Sequence, residues 1–329
     1  RPDGVCTEDG RAQNTAERAT DSAKIYTEVT QDGEQTGQRS QTKIDTLVVN
    51  GLSADVIVRK AAGEKIGLDF RNSGSRKQQL AYELEHHVEG NALIVEVVRK
   101  EARSWFFQMV NNVGLELRVD VPDNMKRVEI RSASGDVDCA GIRGDELAIS
   151  SMSGDLDGRD LDARKLEMKT ASGDIKCVSA HAEEAHFSSK SGDVELEAVN
   201  VRNIVTDSIS GDVAFRSGAA SLAQMSTVSG DAIYVGPAED MSIRSTSGDV
   251  AARVSSPVRA KLKSISGDVA LTLENSRGYR GRISTISGDA SASFGNDSRL
   301  GSRGLTVNFG TPESEIEADS KSGDVTIKA

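Results

Sequence analysis

The stretch VTDSISGDVAFRSG, residues 205–218, holds the tripeptide Ser210-Gly211-Asp212, and that tripeptide recurs ten times along the chain. The copies begin at Ser134, Ser153, Ser172, Ser191, Ser210, Ser229, Ser247, Ser266, Ser287 and Ser322, with steps of 19, 19, 19, 19, 19, 18, 19, 21 and 35 residues. A fixed period near twenty is the mark of a stacked repeat architecture. The residues around each copy fix the geometry. Two positions before the motif Ser the residue is always Ser or Thr, and four before it is mostly apolar (Ile130, Ile149, Met168, Phe187). Alternation of this kind is a strand whose alternate side chains share one face, and it predicts the motif Ser on that inward face. After the Asp the apolar phase moves by one, to Val137, Leu156, Ile175 and Val194 and then to the residues two further on. Two strands whose inward phase shifts across Gly-Asp form a corner. Gly supplies the backbone freedom and Asp accepts nearby backbone N–H groups.

Neither half of a repeat buries its apolar face alone, whereas stacked repeats do so and also pair every strand above and below. The sequence therefore predicts an all-β, single-stranded β-solenoid of about 19 residues per coil, with a rise of about 4.8 Å and a rod on the order of 50–60 Å long. Ser134-Gly135-Asp136, Ser210-Gly211-Asp212 and Ser266-Gly267-Asp268 are read as structural corners. Three segments follow: a polar leader over 1–42 expected to be flexible, opening coils and a cap with irregular insertions over 43–127, and the regular repeat over 128–329. A first, decayed corner is expected at Ser53-Ala54-Asp55, with Ala in the Gly place.

Composition agrees with a narrow core. Aromatic residues are 4% of 329 and Gly numbers 31. The net charge of -11 argues against a nucleic-acid or anionic-membrane partner, both of which ask for basic patches. No apolar run reaches the length of a membrane span. The chain begins at Arg1 rather than Met, which reads as a mature exported protein after removal of a signal. Of the three cysteines, Cys6 is free or bridges to another chain. Cys139 and Cys177 fall at equivalent positions two repeats apart, so one coil per repeat separates them by about 9.6 Å, beyond the roughly 7 Å reach of a disulfide. They are predicted to be free, buried thiols.

The opening LELRVDVP (115–122), the in-phase run of SxSGDV and the closing SGDVTIKA (322–329) resemble the bacterial putative-adhesin family of β-strand-repeat domains, over about residues 43–329. That resemblance implies an exported or surface-associated β-solenoid and brings no catalytic residues.

The ten corner aspartates would stack into a ladder. Turn N–H groups are expected to compensate them, with a Ca²⁺ column at Asp193, Asp212 and Asp231 as the alternative. The spacing lacks the GGxGxD of calcium-binding repeats. His86, His87, His181 and His186 show no metal spacing. There is no phosphate loop, nucleophile elbow or HExxH. The reading is non-enzymatic, without cofactor. The residue before the motif Ser points outward, so Ile209, Val228, Ile265 and Ile286 are expected to line up as a partner surface. Trp105, Phe106 and Phe107 in SWFFQMV form either an end cap or an apolar finger. The chain ends five residues after the last Asp, which predicts an unprotected edge strand able to pair end to end into a fibre. The function expected is an adhesin-like or self-assembling module outside the cell, binding itself, another surface protein or a glycan. A carbohydrate-binding or carbohydrate-cleaving β-helix, for which Phe215, Tyr234 and Tyr279 are the candidate sugar platforms although Phe215 and Tyr234 read as inward, and an envelope-stress binding module are the alternatives.

Overall fold

The computed structural model describes residues 23–29, 43–74, 79–100, 114–255 and 257–329. The chain is all β, and its strands join into one continuous, mostly parallel sheet wound as a solenoid. Register is strict: Leu156 pairs with Ile175, Gly158 with Cys177 and Met168 with Phe187, each 19 residues on. One repeat is one coil.

Each coil turns at three places. Along Leu156–Ser172 burial alternates except at two doubled exposed pairs, Arg159-Asp160 and Arg164-Lys165, and the phase shifts again at the motif. A doubled exposed pair reverses side-chain parity, so it is a corner. The corner seven residues after the motif Ser takes a left-handed backbone in Gly141, Asp160, Ser179, Ala198 and Ser217. The inward residues of the three faces form the core, with Phe187, Phe215, Tyr234 and Leu262 almost fully buried. Phe215 and Tyr234 stack at 4.7 Å between adjacent coils. Gly158 lies between Cys139 and Cys177 in one ladder. A Cβ there would sit 2.9 Å from Leu161 and 3.3 Å from the Met168 sulfur, so the missing side chain is the space those two fill.

At both ends the order of coils departs from the order of the chain. Thr46–Asn50 pairs in parallel with Ala92–Arg99 on one side and Arg127–Ser132 on the other. The first coil in sequence is thus second in the stack, and the outermost layer is built from Ala92–Arg99 and Leu115–Val121. The C-terminal end mirrors this. Ser314–Asp319 lies between Arg259–Lys263 and Gly278–Ser284. Val325–Lys328 likewise lies between Val269–Leu273 and Ala290–Phe294. The motif corners therefore stack in the order Ser247, Ser266, Ser322, Ser287. This corrects the expected open edge: the last coil in sequence is an inner layer, and it offers no edge for fibre growth.

The outer layers at both ends are covered by antiparallel strands. Ile66–Asn72 pairs with Leu115–Val121 and Tyr82–Glu89 with Ala92–Arg99. At the other end Gly304–Gly310 pairs with Gly278–Ser284 and Asp297–Gly301 with Ala290–Phe294. Ala23–Val29 adds antiparallel to Ile66–Asn72, so this part of the leader is a strand where composition alone predicts a flexible tether. Trp105, Phe106, Phe107 and Cys6 lie outside the described residues.

Candidate functional site

The motif corner is built by three interlocking columns. The hydroxyl two residues before the motif donates to the glycine carbonyl of the neighbouring coil: Ser208 to Gly192 at 3.2 Å, Thr227 to Gly211 at 3.0 Å, Ser264 to Gly248 at 2.9 Å. The same bond forms at Thr170, Ser189, Ser245, Thr285 and Ser320, which accounts for the hydroxyl at this position in eight of the ten copies. Gly211 has φ +153°, and a Cβ on it would lie 2.2 Å from the Gly192 carbonyl oxygen. Glycine is thus required twice, by conformation and by the coil beneath. Nine of the ten motif aspartates, all but the outermost Asp289, then accept from the backbone N–H of the Asp one coil further on. Asp212 N–H reaches Asp193 at 2.8 Å, Asp231 N–H reaches Asp212 at 2.8 Å, and the series begins with Asp136 N–H on Asp55 at 3.1 Å. In the stack order Asp324 N–H meets Asp268 and Asp289 N–H meets Asp324, both at 2.8 Å.

The structure corrects one part of the corner. The motif Ser is exposed in all ten copies. The inward alternation stops two residues earlier, and Ser134, Ser210 and Ser266 act through the backbone, as where the Gly192 N–H donates to the Ser210 carbonyl at 3.0 Å. Among the described residues no group of three His, Cys, Asp or Glu side chains has a metal-holding arrangement. At Asp193, Asp212 and Asp231 one carboxylate oxygen is occupied by the next N–H.

With the motif Ser turned out, two successive residues face solvent at this corner, and the first of them is the outward column. Ile209, Val228, Ile265 and Ile286 are exposed, Ile286 by 71%, and Met152 joins them at 66%. Ile209 and Val228 are neighbours through the Ser210–Ser229 bridge. Thr246 separates Val228 from Ile265, and Lys321 separates Ile265 from Ile286, because the inserted coil carries Lys321 into the column. At this end the column borders a groove of about 640 Å³ lined by Arg244, Lys263, Ile265, Ile286 and Lys321 among others.

The remaining sequence candidates disperse. Tyr234, Tyr279 and Phe215 are buried, and the Tyr234 and Tyr279 hydroxyls donate to the Pro237 and Ser293 carbonyls. None is a platform for a sugar. Cys139 and Cys177 are free and buried, and burial pushes both thiols up to about 12. His87 lies 3.3 Å from Glu89 on an end strand. His186 stands between Glu167, at 3.8 Å, and Asp207, at 3.5 Å, on the outer face of adjacent coils. The neighbouring Lys169 ammonium holds the Glu167 carboxyl below its usual range. Sequence spacing missed that trio because its members are 19 and 21 residues apart and meet only through the stack.

The Toastrack DUF4097 family model matches residues 44–328. Similar solved structures include a "putative adhesin" from Bacteroides fragilis, 14% identical with a TM-score of 0.40, covering 93% of this chain and 96% of that one. Another is a "putative cell adhesion protein" from Clostridium sporogenes, 11% identical with a TM-score of 0.22, covering 93% and 99%. No curated protein matches the chain.

Proposed function

Since the chain belongs to the Toastrack DUF4097 family, we propose that it is a non-enzymatic adhesion module, exported to the cell surface, that engages its partner along the outward corner column. The observation that carries this reading is the run of exposed apolar side chains at Met152, Ile209, Val228, Ile265 and Ile286 along one edge of the rod. Ile209 and Val228 adjoin in this column, while Lys190, Thr246 and Lys321 separate the others, and adjoining exposed apolar side chains form a contact surface more often than a solvated one. Side-on engagement suits the molecule better than end-to-end growth, because antiparallel strands cover both ends. Tyr82–Glu89 carries Glu83, Glu85 and Glu89 at its edge, a familiar device against strand addition. No helix among the described residues is long and apolar enough to cross a membrane. A sugar-binding reading has lost its aromatic platforms to the core.

The test immobilises the full chain and measures retention of bacterial cells and of a panel of matrix proteins and glycans. Ile209→Lys/Val228→Lys is expected to cut retention about tenfold, the size of a lost anchor pair. Leu300→Lys, on the capping strand Asp297–Gly301 and more exposed than either, should leave it unchanged. Equal retention by both variants removes the column as the contact surface.

A further inference from the structure

The coil inserted near the C-terminal end is matched to its slot in two independent ways. On the outer face Ser314–Asp319 presents Glu315, Glu317 and Asp319. The strand beneath presents Arg259, Lys261 and Lys263 in the same register, and the strand above presents Arg280, Arg282 and Ser284. Lys261 meets Glu317 at 2.9 Å, and Lys263 bridges Glu317 at 3.3 Å and Asp319 at 3.1 Å. Arg280 pairs with Glu315, and the Ser284 hydroxyl donates to Asp319. Stacked in chain order, Arg280 would face Arg259 and Arg282 would face Lys261, and directly opposed like charges destabilise a strand pair. On the inner face residue size alternates. Ile316 fits between Ala260 and Gly281, while Ala318 fits between Leu262 and Ile283. Direct stacking would lay Gly281 on Ala260 and leave a void where Ile316 is buried.

Both layers that flank this strand come earlier in the chain, so the strand is placed between elements that the chain has already supplied. The segment is joined to the cap only by Gly310, at φ +60°, Thr311, Pro312 and Glu313. Exchange of such an element between identical chains is a low-cost route to a dimer. We propose that the space between Arg259–Lys263 and Gly278–Ser284 is a strand-acceptor slot keyed by charge and side-chain size, and that it takes residues 314–328 from a second copy of this chain as well as from its own.

The experiment uses two full-length chains, each with Cys6→Ser. One carries Ser266→Cys and the other Ser322→Cys, positions bridged in neighbouring layers. The chains are mixed, unfolded in denaturant, refolded together at high concentration and oxidised. A mixed disulfide dimer is expected in about tenfold excess over a control pair with Ser134→Cys in place of Ser266→Cys, because chance collision of exposed thiols gives the control yield. Adding Glu315→Lys/Glu317→Lys/Asp319→Lys to the Ser322→Cys chain should return the yield to the control level. Adding Arg259→Glu/Lys261→Glu/Lys263→Glu/Arg280→Glu/Arg282→Glu to the Ser266→Cys chain should restore it. A yield no higher than the control overturns the exchange, and a yield indifferent to charge reversal overturns the key.

Discussion

The middle of the rod and its two ends solve the same packing problem under opposite constraints. From Val137 to Leu273 every coil has a neighbour on both sides, chain order equals stack order, and each contact repeats the one before. At the ends a coil has one neighbour, and the molecule changes both rules: order is permuted by one layer, and pairing turns antiparallel. The difference teaches that the motif encodes a contact between coils rather than a coil. Its hydroxyl, glycine and carboxylate each find their partner one layer away. Where the next layer in space is not the next in sequence, the same contacts still form, as Ser320 on the Gly267 carbonyl and Thr285 on the Gly323 carbonyl show.

The largest effect that separates the two regions is a methyl group on the glycine column. Gly211→Ala must place its Cβ 2.2 Å from a backbone oxygen at φ +153°. We expect a loss of about 4 kcal/mol or more in equilibrium unfolding. Gly90→Ala, in the cap hairpin at φ +63° with nothing within 4 Å of the new atom, should cost only about 1 kcal/mol. Equal costs would mean that the column is no tighter than a surface turn.

A second contrast is pH. Cys139 and Cys177, both in the middle, hold their protons to about 12, against 9.0 when exposed. The folded state therefore binds protons that the unfolded chain gives up above pH about 9. The contribution is complete below that pH and is lost as pH rises toward 12. Each thiol adds a slope of up to about 1.4 kcal/mol per pH unit. Urea midpoints should fall with pH over this window, and the fall should be shallower in Cys139→Ala/Cys177→Ala. Parallel curves for the two proteins would show that neither thiol is sealed from water.

Within the middle, two columns contain members that fail their own rule. Thr206 occupies an inward apolar position between Phe187 and Met225, and its hydroxyl has no hydrogen-bond partner. Thr206→Val keeps the shape and should stabilise by about 1 kcal/mol. Ser208→Ala, which breaks the bond to the Gly192 carbonyl, should cost about the same. Ser151 shares that column but its hydroxyl is unpartnered, so Ser151→Ala should be close to neutral. Thermal unfolding should rank the variants Thr206→Val, Ser151→Ala, Ser208→Ala from highest to lowest Tm, and a destabilised Thr206→Val would show that the hydroxyl is satisfied after all.

The coil, its period and its inward residues were legible because each repeat restates them. The separation of Cys139 from Cys177 followed from one coil per repeat alone. The direction of the motif Ser is not legible, because strict alternation extended one residue further into the corner turns it inward, whereas it is exposed. The second corner leaves no mark in the sequence, because Asp160, Ser179, Ala198 and Ser217 take the left-handed conformation without a shared residue type. The permuted ends were hidden for a different reason. The 35-residue step from Ser287 to Ser322 announces an insertion, but the identity of a layer's neighbour is a long-range choice. It is written in pairwise charge and size, Glu317 against Lys261 and Ile316 against Ala260, which only a candidate partner makes readable.

The smallest effect follows from that choice. The ion pairs that hold the inserted strand are partly exposed, with Lys261, Lys263 and Glu317 side chains each near two-fifths accessible. Pairs of this kind are worth about 0.2–1 kcal/mol each and are screened by salt. Raising ionic strength from about 0.1 M to about 1 M shortens the screening length from about 10 Å to about 3 Å. The middle coils rest on buried contacts and backbone bonds that salt barely touches. Amide exchange over Ser314–Asp319 should therefore quicken severalfold in high salt, while exchange over Val194–Ser210 stays constant. Uniform change across both segments would place the strength of the inserted layer in its apolar face, leaving the charges to select its position during folding and not to hold it there.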